Sequence, residues 1–136
     1  MPMGLIEAVK KRRSIRDYRP DPVPKKILKE ILEIACRAPS SVNSQPWEFA
    51  VLTGDVLDRI RRDNIERLKG GEDGKPDLVL PSMPRDGVYH QRQVDLAKQL
   101  FRAMDIPRDD KEKRFDWTCR GFKFFNAPAA IILLCD

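Results

Sequence analysis

Only two segments of this 136-residue chain have the pattern of a β-strand, and this scarcity restricts the folds open to it. Residues 48–52 alternate enough to form one strand, which Thr53-Gly54 closes. The continuous apolar run over residues 129–134 is typical of a buried strand in a sheet covered on both faces. Two strands are too few for such a sheet. We therefore expect that another chain completes it or that the sequence stops part-way through a larger fold.

The other regular structure predicted from the sequence is helical. A short helix is expected over residues 5–11, because its apolar residues share one face. A second helix is expected from Pro24 to Ala38, where Pro39 ends it. Its apolar residues recur at helical spacing and predict a buried stripe: Ile27, Leu28, Ile31, Leu32, Ile34 and Ala35.

Three further helices are predicted later in the chain. One begins at Asp55 and is stopped by Gly70-Gly71, and one covers residues 88–104. The last covers residues 109–123, with Asp109 or Asp110 as its N-cap. Residues 72–87 contain three prolines and two glycines, so an exposed, mobile excursion is expected there. A turn at residues 126–128 precedes the second strand.

Composition excludes several classes of protein. Hydrophobic residues make up 41% and charged residues 35%, which argues against a membrane protein and against global disorder. The three cysteines and the single histidine argue against a disulfide framework and a structural zinc site. They are most consistent with the reducing cytoplasm. Each cysteine is interpreted as a small buried hydrophobe: Cys36, Cys119 and Cys135.

The positive charge is concentrated near the start of the chain. The formal net charge is +5, and residues 1–20 contain six basic and two acidic side chains. Arg12, Arg13 and Arg16 surround Ser14, and this combination suits a phosphate or another oxyanion. The alternatives are a solvated basic turn and an arm that binds nucleic acid. No further basic stripe or aromatic platform supports the nucleic-acid alternative.

A second polar cluster lies in residues 38–47, between a predicted helix end and a predicted strand start. It contains three hydroxyl groups and two carboxamides. Carboxamides offer a donor beside an acceptor and can read a planar heterocycle, and loops between rigid elements often carry binding sites. The alternative is an ordinary polar loop with Trp47 as a core anchor.

Together the two clusters resemble the flavin-dependent nitroreductase family. The resemblance is carried by Arg12-Arg-Ser-Ile-Arg16, Tyr18-x-Pro20, Pro22-Val-Pro24 and Ala38-Pro-Ser-Ser-x-Asn-Ser-Gln-Pro-Trp47, and more loosely by Arg108-Asp-Asp110, Trp117 and Phe125-Asn-Ala-Pro128. It implies an α+β sandwich with a mixed β-sheet flanked by helices, the sheet being incomplete in this chain. Residues 1–136 would form a single domain truncated at its C-terminus, with a lid or helical excursion over residues 70–125.

The resemblance also implies a function and a set of site residues. It implies an FMN-dependent oxidoreductase that uses NAD(P)H to reduce nitroaromatics, quinones or similar acceptors. It implies that the phosphate, ribityl chain and pyrimidine edge of FMN are contacted by Arg12, Arg13, Ser14 and Arg16. It places Pro39, Ser40 and Ser41 against the flavin of the partner subunit, with Asn43 and Gln45 in the same motif. It suggests three residues for the substrate pocket, with core packing as the alternative: Tyr89, Phe122 and Phe124.

The assembly implied by the resemblance is a homodimer with FMN at the subunit interface. The protein is expected in the cytoplasm, with no membrane or nucleic-acid partner. No catalytic side chain and no metal are expected, because the cofactor carries the hydride chemistry. The alternative function is a non-catalytic flavin-binding module or a degenerate remnant, suggested by the C-terminal segments of the family that this sequence lacks.

Overall fold

The structure is a computed structural model of the chain, and it describes residues 3–72, 74, 78 and 85–135. Its helices and strands follow the order predicted from the sequence: α1 (Leu5–Lys11), α2 (Lys25–Ala35), β1 (Trp47–Thr53), α3 (Gly54–Lys69), α4 (Gly87–Ala103), α5 (Lys111–Phe122) and β2 (Ala129–Cys135). Short 3-10 turns lie at Ser41–Asn43 and Phe124–Asn126.

The chain divides into two compact units. The first comprises Met1–Ile60 and Phe124–Asp136, and the second comprises Arg61–Lys123. The first unit contains α1, α2 and both strands, and the second contains α4 and α5, while α3 begins in the first and ends in the second. The excursion predicted over residues 72–87 falls largely outside the described residues.

Helix α1 has the predicted bounds, and α2 ends earlier than predicted. Beyond α2, the backbone N–H groups of Arg37 and Ala38 donate to the carbonyls of Ile34 and Ala35, so the chain continues as a tight turn before Pro39. The predicted buried stripe of α2 is wrong in part. Leu28 is buried and Leu32 half-buried, but the other four residues of the stripe are exposed: Ile27, Ile31, Ile34 and Ala35.

The two strands form an antiparallel pair. Trp47 pairs with Cys135 at one end and Thr53 with Ala129 at the other. The strand predicted over residues 129–134 is confirmed, but its predicted burial is wrong, because Leu133 is 61% exposed and all of residues 131–135 are exposed. The continuous apolar run of β2 favours burial. In the described part of the chain, however, β1 is the sole strand that pairs with β2, so residues 131–135 stay exposed.

Two side-chain hydrogen bonds connect helices of the second unit. The Nδ2 of Asn64 donates to the carbonyl of Phe122 at 3.0 Å, and the Nε of Arg61 donates to the carbonyl of Lys123 at 3.1 Å. These bonds tie α3 to the C-terminal end of α5, whose last carbonyls have no helical partner. Asp110 is the N-cap of α5, since its Oδ1 accepts from the backbone N–H of Lys113 at 2.9 Å.

The three cysteines form no disulfide, and their burial differs from the prediction. Cys119 on α5 is buried, as expected for a small hydrophobe. Cys36, after α2, and Cys135, in β2, are exposed instead. Among the residues that the structure describes, no helix is both long enough and apolar enough to cross a membrane.

Candidate functional site

The arginine cluster lies in an extended segment directly after α1. Arg12 is the C-cap residue of α1 and leaves the helix with φ −53° and ψ 131°. The irregular segment that follows runs to Pro24 and is stiffened by three prolines, each of which fixes its own φ. The phenol of Tyr18 donates to the carbonyl of Ile15 at 3.2 Å within this segment.

The guanidinium groups of this cluster are accessible to an incoming anion. Arg12, Arg13, Ser14 and Arg16 are all exposed. Within residues 3–72 and 85–135, no hydrogen bond or ion pair occupies the side chain of Arg12 or Arg13. The neighbouring Lys11, by contrast, pairs with Glu7 at 2.6 Å on α1. The cluster therefore offers forked donors suited to a phosphate or carboxylate.

The second cluster is a closed loop fastened by Ser40. The Oγ of Ser40 accepts from the backbone N–H of Gln45 at 2.9 Å, and the carbonyl of Ser40 accepts from the backbone N–H of Asn43 at 3.1 Å. The Nε2 of Gln45 donates to the Oδ1 of Asn43 at 3.1 Å. This bond uses the oxygen of the Asn43 carboxamide. The Nδ2 group of Asn43 therefore remains available as a donor.

The backbone of this loop is left-handed at three residues. Val42, Asn43 and Gln45 have φ values of 45°, 56° and 49°. Asn accepts this region readily, but a β-branched residue does so at a clear energetic cost. Val42 is also 96% exposed, so burial of its own side chain does not compensate for the strain. Strain of this kind clusters at binding and active sites.

The sequence predicted the loop but not its backbone conformation. The polar composition of residues 38–47 identified a candidate site, whereas valine at position 42 gives no signal for a left-handed turn. The structure places the arginine cluster and the loop in the same unit, Met1–Ile60 with Phe124–Asp136. In the loop, Pro39, Ser41, Asn43 and Gln45 are exposed and Ser40 is half-buried.

A second left-handed turn precedes β2. Phe124, Phe125 and Asn126 have φ values of 53°, 52° and 58°, and the backbone N–H of Ala127 donates to the carbonyl of Phe124 at 3.0 Å. The sequence predicted a turn at residues 126–128, so the structure moves the turn toward the two phenylalanines. Two consecutive aromatic residues give no sequence signal for positive φ.

The predicted substrate-pocket residues lie in different parts of the fold. Tyr89 on α4 is 63% exposed, and Phe122 at the end of α5 is exposed as well. Both belong to the unit Arg61–Lys123, whereas Phe124, which is half-buried, belongs to the other unit. In the described part of the chain, no group of three or more His, Cys, Asp or Glu side chains could hold a metal ion.

Comparison with known proteins identifies similar sequences over nearly the whole chain. The model of the nitroreductase family matches residues 9–135. The chain is 34% identical to a chloronitrobenzene nitroreductase of Comamonas testosteroni, over 96% of this chain and 58% of that protein. It is 30% identical to the nitroreductase NfnB of Mycolicibacterium smegmatis, over 92% of this chain and 53% of that protein. The chain thus spans a little over half the length of these curated relatives.

Solved structures show the same similarity in three dimensions. The crystal structure of the FMN-dependent nitroreductase NfnB from Mycobacterium smegmatis in complex with NADPH superimposes with a TM-score of 0.84 and 28% identity, over 93% of this chain and 57% of that one. The FMN and NADPH-dependent nitroreductase NfnB from a Sphingopyxis strain superimposes with a TM-score of 0.87 and 30% identity, over 98% of this chain and 60% of that one.

Proposed function

The chain belongs to the nitroreductase family, and from this premise we propose that it works as an FMN-dependent oxidoreductase. The proposed reaction uses NAD(P)H to reduce nitroaromatic, quinone or similar electron acceptors. FMN, when bound, supplies the hydride-transfer chemistry, and the chain supplies binding, orientation and electrostatics. The observation that carries the proposal is the presence of the accessible Arg12 and Arg13 guanidiniums in the same unit as the closed Ser40–Gln45 loop.

In this proposal the arginine cluster holds the charged end of the cofactor. Arg12, Arg13, Ser14 and Arg16 contact the phosphate, the ribityl chain and the pyrimidine edge. The donor set fits that role, because guanidinium forks and a hydroxyl match phosphate oxygens in charge and geometry. Since Arg12 and Arg13 have no competing partner in the described part of the chain, binding breaks no internal ion pair of theirs.

The closed loop would act on the flavin ring of the partner subunit. Pro39, Ser40 and Ser41 lie against the ring in this proposal, and Asn43 contributes its outward Nδ2 donor to a ring carbonyl or nitrogen. Gln45 supports that orientation through its bond to the Oδ1 of Asn43. The loop is arranged by its own hydrogen bonds, so little ordering entropy remains to be lost on binding.

We further propose that the protein is a homodimer with FMN at the subunit interface. Support comes from the apolar face of α1, where Leu5, Ile6 and Val9 are 81%, 72% and 68% exposed. Such a contiguous face is unfavourable in water and is typical of an interface that a partner covers. In the same proposal the chain is one nitroreductase-like domain located in the cytoplasm. Residues 70–125 form its lid, and three residues line the acceptor pocket: Tyr89, Phe122 and Phe124.

The test is an absorbance spectrum of the purified protein across a size-exclusion peak, with and without added FMN. We expect flavin bands that co-elute with protein at the volume of a dimer. NADH or NADPH oxidation should then depend on an added acceptor such as nitrobenzene. A folded protein that stays colourless with FMN would overturn the flavin assignment. A yellow protein without NAD(P)H oxidation would instead identify a non-catalytic flavin-binding module.

A further inference from the structure

A groove of about 480 Å³ lies within the unit Arg61–Lys123. The end of α3, the residues that link α4 to α5, and one side of α5 line it. On α5, four lining residues recur at intervals of three and four positions and form one stripe on the helix surface, and Phe115 and Cys119 line the groove beside it. This stripe and the residue directly after α5 contribute Lys113, Asp116, Trp117, Arg120 and Lys123.

The groove carries an excess of positive charge. Its lining contains four cations, Lys69, Lys113, Arg120 and Lys123, against a single carboxylate, Asp116. Among the residues that the structure describes, no ion pair involves Lys69, Lys123 or Asp116. Lys69 and Lys123 are therefore not neutralised by the carboxylate of the groove, and their charge favours an anion.

Two of the cations are held in place by the protein. The guanidinium carbon of Arg120 lies 5.2 Å from the ring centroid of Trp117, a cation–π contact that keeps the charge beside an aromatic face. The Nζ of Lys113 donates to the backbone carbonyl of Asp105 at 3.1 Å. Each contact removes rotational freedom that a ligand would otherwise have to restrict.

The remaining lining is apolar. Ile65 of α3, Ile106 before α5 and the ring of Trp117 are half-buried, and Cys119 is buried with 5% exposure. An inorganic anion would leave these surfaces in water, whereas a ligand with a flat apolar body would cover them. The groove volume lies in the range of small-molecule sites.

We propose that this groove binds a small planar aromatic anion. The ring of the ligand lies against Trp117 and the two isoleucines, and its carboxylate or phosphate lies among Lys69, Arg120 and Lys123. All of these groups belong to the unit Arg61–Lys123, whereas the residues proposed to hold FMN lie in the other unit. The proposal therefore goes beyond the flavin chemistry and does not rest on it.

The test follows the indole N–H signals of the two tryptophans, Trp47 and Trp117, by ¹H–¹⁵N NMR of the ¹⁵N-labelled chain. Trp117→Phe assigns the signals. The probes are 1-naphthoate, AMP and the uncharged analogue 1-naphthalenemethanol. We expect the Trp117 signal to shift saturably with 1-naphthoate or AMP at Kd values of about 0.1–1 mM, and the Trp47 signal to remain in place. If only naphthoate binds, the anionic group of the ligand is a carboxylate. If only AMP binds, it is a phosphate.

Charge variants connect the binding to the groove. The double variant Lys69→Gln/Lys123→Gln should weaken binding about tenfold, and added salt should weaken binding to the unsubstituted chain. Lys98→Gln is the matched control, because Lys98 is an exposed lysine on α4 outside the groove. Arg12→Ala is a second control and should leave the affinity for the probe unchanged.

Several results would overturn the proposal. These are an unshifted Trp117 signal with both anions up to about 10 mM, equal binding of the uncharged analogue, and equal affinity in the double variant and the Lys98→Gln control. A loss of binding in Arg12→Ala would move the ligand to the arginine cluster and would likewise overturn it.

Discussion

The hydroxyl oxygen of Ser40 and the backbone N–H of Gln45, five residues apart, are joined by a hydrogen bond of 2.9 Å that closes the loop before β1. This bond spans the left-handed residues Val42 and Asn43, so it fastens a conformation that the backbone alone disfavours. The Ser40 hydroxyl thus contributes one of the hydrogen bonds that hold the shape of the loop.

Removing that oxygen should loosen the loop. We predict that Ser40→Ala lowers the free energy of unfolding by about 0.5–1.5 kcal/mol, the range for one hydrogen bond, and weakens FMN binding. Denaturant unfolding and FMN titration measure the two effects. Ser44→Ala is the matched control, since the Ser44 hydroxyl makes no hydrogen bond within the described residues. Equal behaviour of the two variants would show that the bond does not hold the loop.

Relieving the backbone strain at Val42 should not lower the free energy of unfolding, in contrast to removal of the Ser40 hydroxyl. A non-glycine residue in the left-handed region costs about 1–2 kcal/mol, and glycine loses roughly 0.5–1 kcal/mol of extra chain entropy. We therefore predict that Val42→Gly leaves the free energy of unfolding unchanged or raises it by up to about 1 kcal/mol. The same substitution at Val56, in α3, should lower it by about 1 kcal/mol. Equal losses at both sites would refute a strained Val42.

The arginine cluster should control cofactor affinity. We predict that Arg12→Ala and Arg16→Ala each weaken FMN binding by about 1–3 kcal/mol, the scale for losing a hydrogen bond to a charged group. Arg59→Ala removes an exposed guanidinium from α3 in the same unit and should not change the FMN Kd. Unchanged titrations of both cluster variants would mean that the phosphate is bound elsewhere.

The N-cap of α5 should contribute measurably to stability. Because the carboxylate of Asp110 accepts from the backbone N–H of Lys113, Asp110→Ala should lower the free energy of unfolding by about 1 kcal/mol. Asp109→Ala removes a neighbouring exposed carboxylate that makes no such bond and should change stability by less than about 0.5 kcal/mol. A larger loss of stability in Asp109→Ala than in Asp110→Ala would identify Asp109 as the N-cap instead.

Local pattern predicted the helices and strands well, because capping and periodicity are properties of neighbouring residues. Helix α1 has its predicted bounds, and the sequence limited the N-cap of α5 to two residues, of which the structure selects Asp110. Burial was predicted less well. Ile34 and Leu133 lie on expected core faces, yet they are 65% and 61% exposed, since burial depends on surfaces that the sequence pattern of one element does not describe.

The candidate site was identified from its composition, and its geometry was not. Clustered arginine and serine side chains are typical of sites that bind anions. The left-handed backbone at Val42 and at Phe124 has no counterpart in residue preference. The groove on α5 was likewise not predicted from the sequence, nor was the cation–π contact between Trp117 and Arg120 that lines it.

The pairing of β1 with β2 also sets an order of events in folding. Thr53 and Ala129 are partners, and all of residues 54–128 lie between them along the chain, so the sheet is a contact of high sequence separation. Such contacts form slowly, because the intervening loop must be closed before any strand hydrogen bond repays the lost entropy. Collapse of the intervening helices α3, α4 and α5 shortens that loop. We therefore expect the helices between the strands to gain protection from hydrogen exchange before the sheet amides do.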